Sequence, residues 1–165
     1  MSSYDLFIFE EEFRAITQTI ARLRAEAKAK SVFLVDKNGQ QIAADGEVER
    51  LDITSLASLT AGNVAATDGL ARLIGEREFS VLFHEGESDN IHISMVGHRI
   101  ILVVIFGADS SIGLVRLRVR KASRELEEVF ANIFNKVERE RATVKSNFES
   151  PFAEITDEDI DSLFR

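Results

Sequence analysis

The chain of 165 residues contains no cysteine and no tryptophan, and it has a single proline, Pro151. Without cysteine there is no disulfide framework, no thiolate chemistry and no zinc ribbon. The longest apolar run, Ile100–Phe106, is too short to span a bilayer. The first residues have neither the basic region nor the cleavage site of a signal peptide, so we expect a cytoplasmic protein.

Positive charge is also scarce, since 20 Lys and Arg face 28 Asp and Glu and the net charge is −8. This acidic balance argues against nucleic acid or an anionic membrane as the main partner. Apolar residues make up 45% of the chain, which is enough for one globular domain with a core.

Motifs of catalysis and cofactor binding are missing as well. There is no phosphate-binding loop of the G-x-x-x-x-G-K-[ST] type, no dinucleotide fingerprint and no G-x-S-x-G. The histidines His84, His92 and His98 are not spaced as metal ligands, and strand alternation places His92 on the wetter side. We therefore predict no catalytic residue, no metal and no cofactor.

Hydrophobic periodicity predicts the order α-β-β-α-β-β-β-α, an α+β fold with one antiparallel five-stranded sheet. Asn38-Gly39 predicts a type I′ hairpin turn, in which both central residues have positive φ. Asp52 or Thr54 can cap the second helix, which is expected to run to about Gly75. The predicted organisation is a domain at 1–137, a charged linker at 138–150 and an amphipathic helical motif at 151–165.

The second predicted helix contains interior glycines, each of which costs about 1 kcal/mol of helix stability relative to alanine. Ser58, Gly62, Ala65, Gly69 and Arg72 recur at 4-3-4-3 spacing and form a nearly bare face. We expect the leucines of the helix to cover its own sheet from the other side. These are Leu56, Leu59, Leu70 and Leu73. The bare face can pack inside the fold, against a second copy in a homodimer, or against another protein, and we favour contact between chains.

The C-terminal sequence SPFAEITDEDIDSLFR has the features of a helix start. Thr156 and Asp159 have the spacing of a capping box, and Ile155 and Ile160 that of a hydrophobic staple. Either this is a frayed or self-docked tail, or it is a short motif that folds onto a partner. We favour the partner-binding motif, whose apolar anchors would be Phe152, Ile155, Ile160, Leu163 and Phe164.

Six blocks of sequence carry a resemblance to a known family. They are VFLVDKNGQQIAADG, DITSLASLTAGNVAATDGLARLIGE, FHEG, ILVVIF, SSIGLVRLRVRKASRELEEVF and SPFAEITDEDIDSLF. The chain resembles, from about Glu11 to Phe164, the Roadblock/LC7 domain proteins that regulate small Ras-like GTPases in bacterial gliding motility and cell polarity. The resemblance implies a homodimer whose sheets join edge to edge and whose second helices lie side by side.

The resemblance also implies a role for both surfaces. Two protomers would bind one Ras-like small GTPase in its GTP state and accelerate hydrolysis without an arginine finger, so that this chain has no active site. The GTPase-binding residues would be Gly62, Ala65, Ala66, Gly69 and Arg72. The C-terminal helix would assist nucleotide exchange, and the protein would act in the cytoplasm, including at a cell pole. Two alternatives are a scaffold that localises a GTPase without activating it, and an enzyme that uses Arg72, Arg77 or a histidine in a deep pocket.

Overall fold

The computed structural model describes the backbone of residues 9–153 and the side chains of residues 9–146. In chain order the elements are α1 (Glu10–Ala27), β1 (Ser31–Asp36), β2 (Gln41–Gly46), α2 (Ile53–Leu73), β3 (Val81–Glu85), β4 (Asn90–Val96), β5 (Ile100–Phe106) and α3 (Ile112–Ala153). This is the order that the periodicity predicts. In the described part of the chain, no helix has an apolar stretch long enough to cross a membrane.

The five strands form one antiparallel sheet in the order β2-β1-β5-β4-β3. β5 occupies the centre, which accounts for its continuous apolar sequence, because a central strand covered on both faces has no wet side. β2 and β3 are the edge strands of the described sheet.

Helices cover both faces of the sheet. On one face α2 packs against a core that includes Phe33 and Val103. On the other face Arg24 of α1 pairs with Asp45 of β2. α3 lies beside α1 on that second face, since Arg22 and Glu125 approach to 3.0 Å.

His92 shows the consequence of the second helical layer. Its side chain is 1% exposed, whereas the sequence placed it on the wetter side of β4. It lies across from Phe83 and Val104 in the sheet, on the face that α1 and α3 cover. Neither ring nitrogen has a hydrogen-bond partner among the described residues. Burial, with a smaller contribution from the charge of Arg116, lowers the pKa of His92 below its ordinary value of 6.5.

This lowered pKa predicts acid destabilisation. The unfolded chain binds a proton at His92 below about pH 6.5 whereas the folded chain resists it, so stability falls as the pH drops from 6.5 towards the folded pKa. We expect the free energy of unfolding of wild type to fall more steeply than that of His92→Leu, with a difference of up to about 1.4 kcal/mol per pH unit. Urea denaturation at several pH values between 5 and 7.5 measures it, and parallel curves for the two proteins would refute it.

The hairpin between β1 and β2 forms where Asn38-Gly39 predicts it, but the turn is of another type. Of the two central residues of the turn, Gly39 has a positive φ, of 87°, and Asn38 does not. The Asp36 side chain accepts hydrogen bonds from the backbone N–H groups of Asn38 and Gln40, at 2.9 and 3.0 Å. This carboxylate holds a longer loop, so Asn38 does not need a left-handed conformation.

Both predicted ends of α2 are confirmed. The Asp52 side chain accepts a hydrogen bond from the N–H of Ser55 at 3.1 Å, as an N-cap should. At the other end Gly75 has a φ of 85°, and the N–H of Glu76 donates to the carbonyl of Ala71 at 2.8 Å. This left-handed glycine closes the helix, as expected of a C′ residue.

α3 extends beyond its predicted end. The stretch 138–150, predicted as a linker, belongs to one helix that continues to Ala153. No glycine or proline interrupts the sequence from Leu114 to Ser150, and its Glu, Arg and Lys residues are good helix formers. The chain divides into two compact units, one ending at Val129 and one beginning at Phe130. The second unit includes a tilted ring pair, Phe130 and Phe134, with centroids 6.4 Å apart.

Candidate functional site

The inner face of α2 is built from small residues rather than leucines. Ala57, Ala61 and Val64 are buried against the sheet. The predicted leucine face is wrong for three of its four members, because only Leu56 packs partly into this core. The exposed ones are Leu59 at 73%, Leu70 at 57% and Leu73 at 83%. Large side chains from the strands already fill the space beneath α2, so short helix residues suffice there.

The outer face of α2 brings together all the residues that were predicted to bind a GTPase. Gly62, Ala65, Ala66 and Arg72 are exposed, and Gly69 is partly exposed. Gly62, Ala66 and Gly69 occupy the side of the helix away from Ala57, Ala61 and Val64, and Ala65 and Arg72 lie between the two sides.

Two leucines that the sequence assigned to the core belong to this outer face. Leu59, Gly62, Ala66, Gly69 and Leu73 follow one another at 3-4-3-4 spacing, and we call them the outer stripe. The stripe is about 21 Å long, with a large apolar side chain at each end and almost none between. The same periodicity could have found it, had the glycines been used rather than the leucines to choose the face.

Nothing in the described chain packs against the glycines of the outer stripe. A Cβ atom added to Gly62 or Gly69 would meet no other atom within 4 Å, apart from its own helix. Alanine at either position would therefore fit and would favour the helix by about 1 kcal/mol. A helix that is apolar on both sides is typical of one covered on both sides, and only the inner side of α2 is covered by the described fold.

The outer face of α2 lies near an edge of the sheet. The side-chain amide nitrogen of Asn63 lies 3.0 Å from Nε2 of His84, which connects the middle of α2 to edge strand β3. Within the described residues β3 pairs only with β4, so the backbone along the opposite edge of β3 has no strand partner there. Val81 at the start of β3 is 45% exposed, and Ile74 just after α2 is 70% exposed. Exposed apolar surface and unpaired strand backbone therefore occur in the same region.

The residues named for the enzyme alternative are dispersed. Arg72 and Arg77 are exposed, and His98 pairs with Glu78 at 2.8 Å. A cleft of about 360 Å³ lies elsewhere, lined by residues that include Phe83, Phe106 and Ser111 but neither arginine and no histidine. Among the residues described, no three His, Cys, Asp or Glu side chains are grouped to hold a metal ion.

The predicted C-terminal anchors cannot be placed in this way. Ile155, Ile160, Leu163 and Phe164 lie outside the described residues, and so does the side chain of Phe152.

The fold agrees with the family comparison. The sequence matches the Roadblock/LC7 domain over residues 16–106, and the chain belongs to that family. It is 56% identical to Myxococcus xanthus MglB, with a TM-score of 0.73, covering 74% of this chain and 92% of that one. It is 28% identical to the gliding protein MglB from Thermus thermophilus, with a TM-score of 0.68, covering 72% and 90%.

More distant matches show the fold alone. A Roadblock/LC7 domain from Streptomyces avermitilis is 14% identical with a TM-score of 0.64, over 69% of this chain and 96% of that one. The search of curated proteins gave no match.

Proposed function

We propose that this chain is a homodimeric regulator of a small Ras-like GTPase of the MglA type, which it activates for GTP hydrolysis. The observation that carries this proposal is the outer stripe, an exposed apolar surface containing two glycines that the described fold does not require. The 56% identity to Myxococcus xanthus MglB supports the same function. The protein would contribute to cell polarity and gliding motility, acting in the cytoplasm and at a cell pole.

The homodimer is supported by the position of the outer stripe near β3. Pairing of β3 with its copy would satisfy the unpaired backbone of both edges and bring the two α2 helices side by side. Leu59 and Leu73 would then be removed from water. Gly62 and Gly69 would allow the helix backbones to approach closely, which gains van der Waals contact.

The GTPase would bind the face that this pair of helices presents. We assign its contacts to Gly62, Ala65, Ala66, Gly69 and Arg72. Gly62 and Gly69 lie between Leu59 and Leu73 on one side and Ala65 and Arg72 on the other, so they would border both the homodimer contact and the GTPase contact. A flat, side-chain-poor surface suits a partner whose own loops must be held in a new position. Activation would come from this reshaping of the GTPase, which uses its own catalytic residues.

The C-terminal motif would bind the GTPase separately and assist nucleotide exchange, through Phe152, Ile155, Ile160, Leu163 and Phe164. Its capping box and acidic first turn favour a helix once a partner supplies apolar contacts.

A comparison of the full chain with one lacking residues 150–165 tests both roles. Single-turnover hydrolysis by the GTP-loaded GTPase should be faster with either form than without it. The full chain should accelerate release of a fluorescent GDP analogue from the GTPase. The acceleration by the truncated chain should be about tenfold smaller.

Three results would contradict the proposal. Binding without faster hydrolysis would favour the scaffold alternative. Equal binding to the GDP and GTP states would contradict a regulator of the GTP state. Equal loss of hydrolysis and exchange on truncation would contradict the division between α2 and the C-terminal motif.

A further inference from the structure

The negative charge of this protein is unevenly distributed. The first turns of α3, residues 112–124, contain five Arg and Lys residues and no Asp or Glu, in a chain of net charge −8.

Four of these five basic side chains form an exposed group. Arg118 turns towards α1 and pairs with Glu26 at 3.6 Å. The remaining four are exposed, and the neighbouring apolar side chain of Leu117 is 59% exposed. We call this group the basic stripe: Arg116, Arg120, Lys121 and Arg124, with Leu117.

No carboxylate of the described chain lies within ion-pairing distance of the basic stripe. None of its four cations forms an ion pair there, and the neighbouring carboxylate of Glu125 is already paired with Arg22 at 3.0 Å. Arg116, Arg120 and Arg124 are also four residues apart, an arrangement of like charges that destabilises an isolated helix. The helix thus keeps an unfavourable charge pattern on its solvent side, which a negatively charged partner would relieve.

A segment of complementary charge exists in the same sequence. Residues 154–161 contain five Asp and Glu residues and no Lys or Arg. Ile155 and Ile160 supply apolar side chains within that segment, and Leu117 offers an exposed apolar contact on α3. We propose that the basic stripe is a docking surface for the acidic C-terminal segment of a second copy of this chain.

A second copy is the better donor of this segment. The acidic segment of the same chain is joined covalently to the basic stripe through α3, whereas the segment of another chain has no such connection. An anionic membrane fits the basic stripe less well, because the acidic remainder of the protein would be repelled by such a surface.

Docking of this kind would also affect the proposed function. If the C-terminal motif binds the GTPase, a motif held on the basic stripe is unavailable for nucleotide exchange. That consequence rests on the proposed function, but the docking itself does not, and the following test contains no GTPase.

Energy transfer between full-length chains tests the docking. Because the chain has no cysteine, single labels can be placed at a cysteine added after Arg165 and, on other molecules, at Gly113→Cys. Gly113 has open space for a side chain and lies one turn before Arg116. After mixing and equilibration, transfer reports proximity between copies. Any transfer within the proposed homodimer does not depend on the basic stripe and is the baseline from which docking is measured.

We expect transfer at about 50 mM salt and roughly tenfold less transfer at about 500 mM salt, because the Debye length shortens from about 14 Å to about 4 Å. The triple variant Arg116→Glu, Arg120→Glu, Arg124→Glu should lose the transfer. So should Asp157→Lys, Glu158→Lys, Asp159→Lys. Combining the two sets restores opposite charges and should restore the transfer. The control Lys28→Glu, Arg50→Glu, Arg77→Glu makes the same change of net charge elsewhere on the exposed surface and should transfer like wild type.

Several outcomes would overturn the proposal. One is transfer that survives in the first triple variant, and another is a combined variant that remains without transfer. Transfer seen only when both labels are on one molecule would identify the chain's own segment as the occupant. Co-sedimentation with phosphatidylglycerol vesicles that needs the basic stripe, without any transfer between chains, would assign the surface to lipid.

Discussion

Replacing Gly69 with arginine is expected to abolish binding of the GTP-loaded GTPase while the chain remains folded. Open space surrounds Gly69, so the new side chain meets no atom of the protein itself, and helix propensity improves. At the contact with a partner the same side chain would hold the two backbones apart and bring a charge into a tightly packed surface. We expect at least a 100-fold loss of affinity, which corresponds to roughly 3 kcal/mol.

The matched control for this variant is Gly113→Arg. Gly113 is likewise a helical glycine with nothing near its Cβ position, but it lies in α3. It should bind the GTPase like wild type. Gly69→Ala adds a single methyl group and should weaken binding less than the arginine does, while raising thermal stability. Titration calorimetry with the GTPase bound to a non-hydrolysable GTP analogue measures the affinity of all three variants. Wild-type affinity in Gly69→Arg would rule out the assigned surface.

The double variant Leu59→Asp, Leu73→Asp is expected to convert the proposed homodimer into a folded monomer. Both leucines are largely exposed in the single chain, so the monomer loses little when they become polar. Each leucine buried between two α2 helices would contribute about 1.5–3 kcal/mol, and the new carboxylates would have to be desolvated as well. The dissociation constant of the dimer should therefore rise by more than about 100-fold.

Val144→Asp provides the comparison for the leucine variant, since Val144 is 53% exposed and lies in the second compact unit. It should leave the oligomeric state unchanged. Sedimentation equilibrium gives the mass, and circular dichroism establishes that the variants are folded. A double variant that remains a dimer would place the interface elsewhere, and one that is unfolded would assign the leucines to the core of the chain itself.

Local signals predicted the elements of this fold well. The Asp52 cap and the Gly75 stop act on a single helix end, and the structure has both. The apolar run of β5 suits its central position in the sheet. The turn at Asn38-Gly39 was predicted at the right place, but its predicted type was wrong. The Asp36 carboxylate accepts hydrogen bonds from the backbone there, and these compete with the type I′ geometry.

The candidate site was predicted in part. The spacing of Gly62 and Gly69 identified the exposed face, since helical periodicity fixes which residues share a side. It does not fix which side is buried when both are apolar. Leu59 and Leu73 were therefore assigned to the wrong side of the helix. Ala57 and Ala61, which face the sheet, were not assigned to either side.

The sequence by itself determined the order of the elements, the ends of α2 and the common face of its glycines, because these depend on hydrogen bonds and spacing within a few residues. Only the tertiary structure decided that alanines face the sheet, that leucines remain outside, and that α1 and α3 bury His92. Burial depends on which elements meet, and that choice is made by the combined volume of side chains from distant parts of the chain.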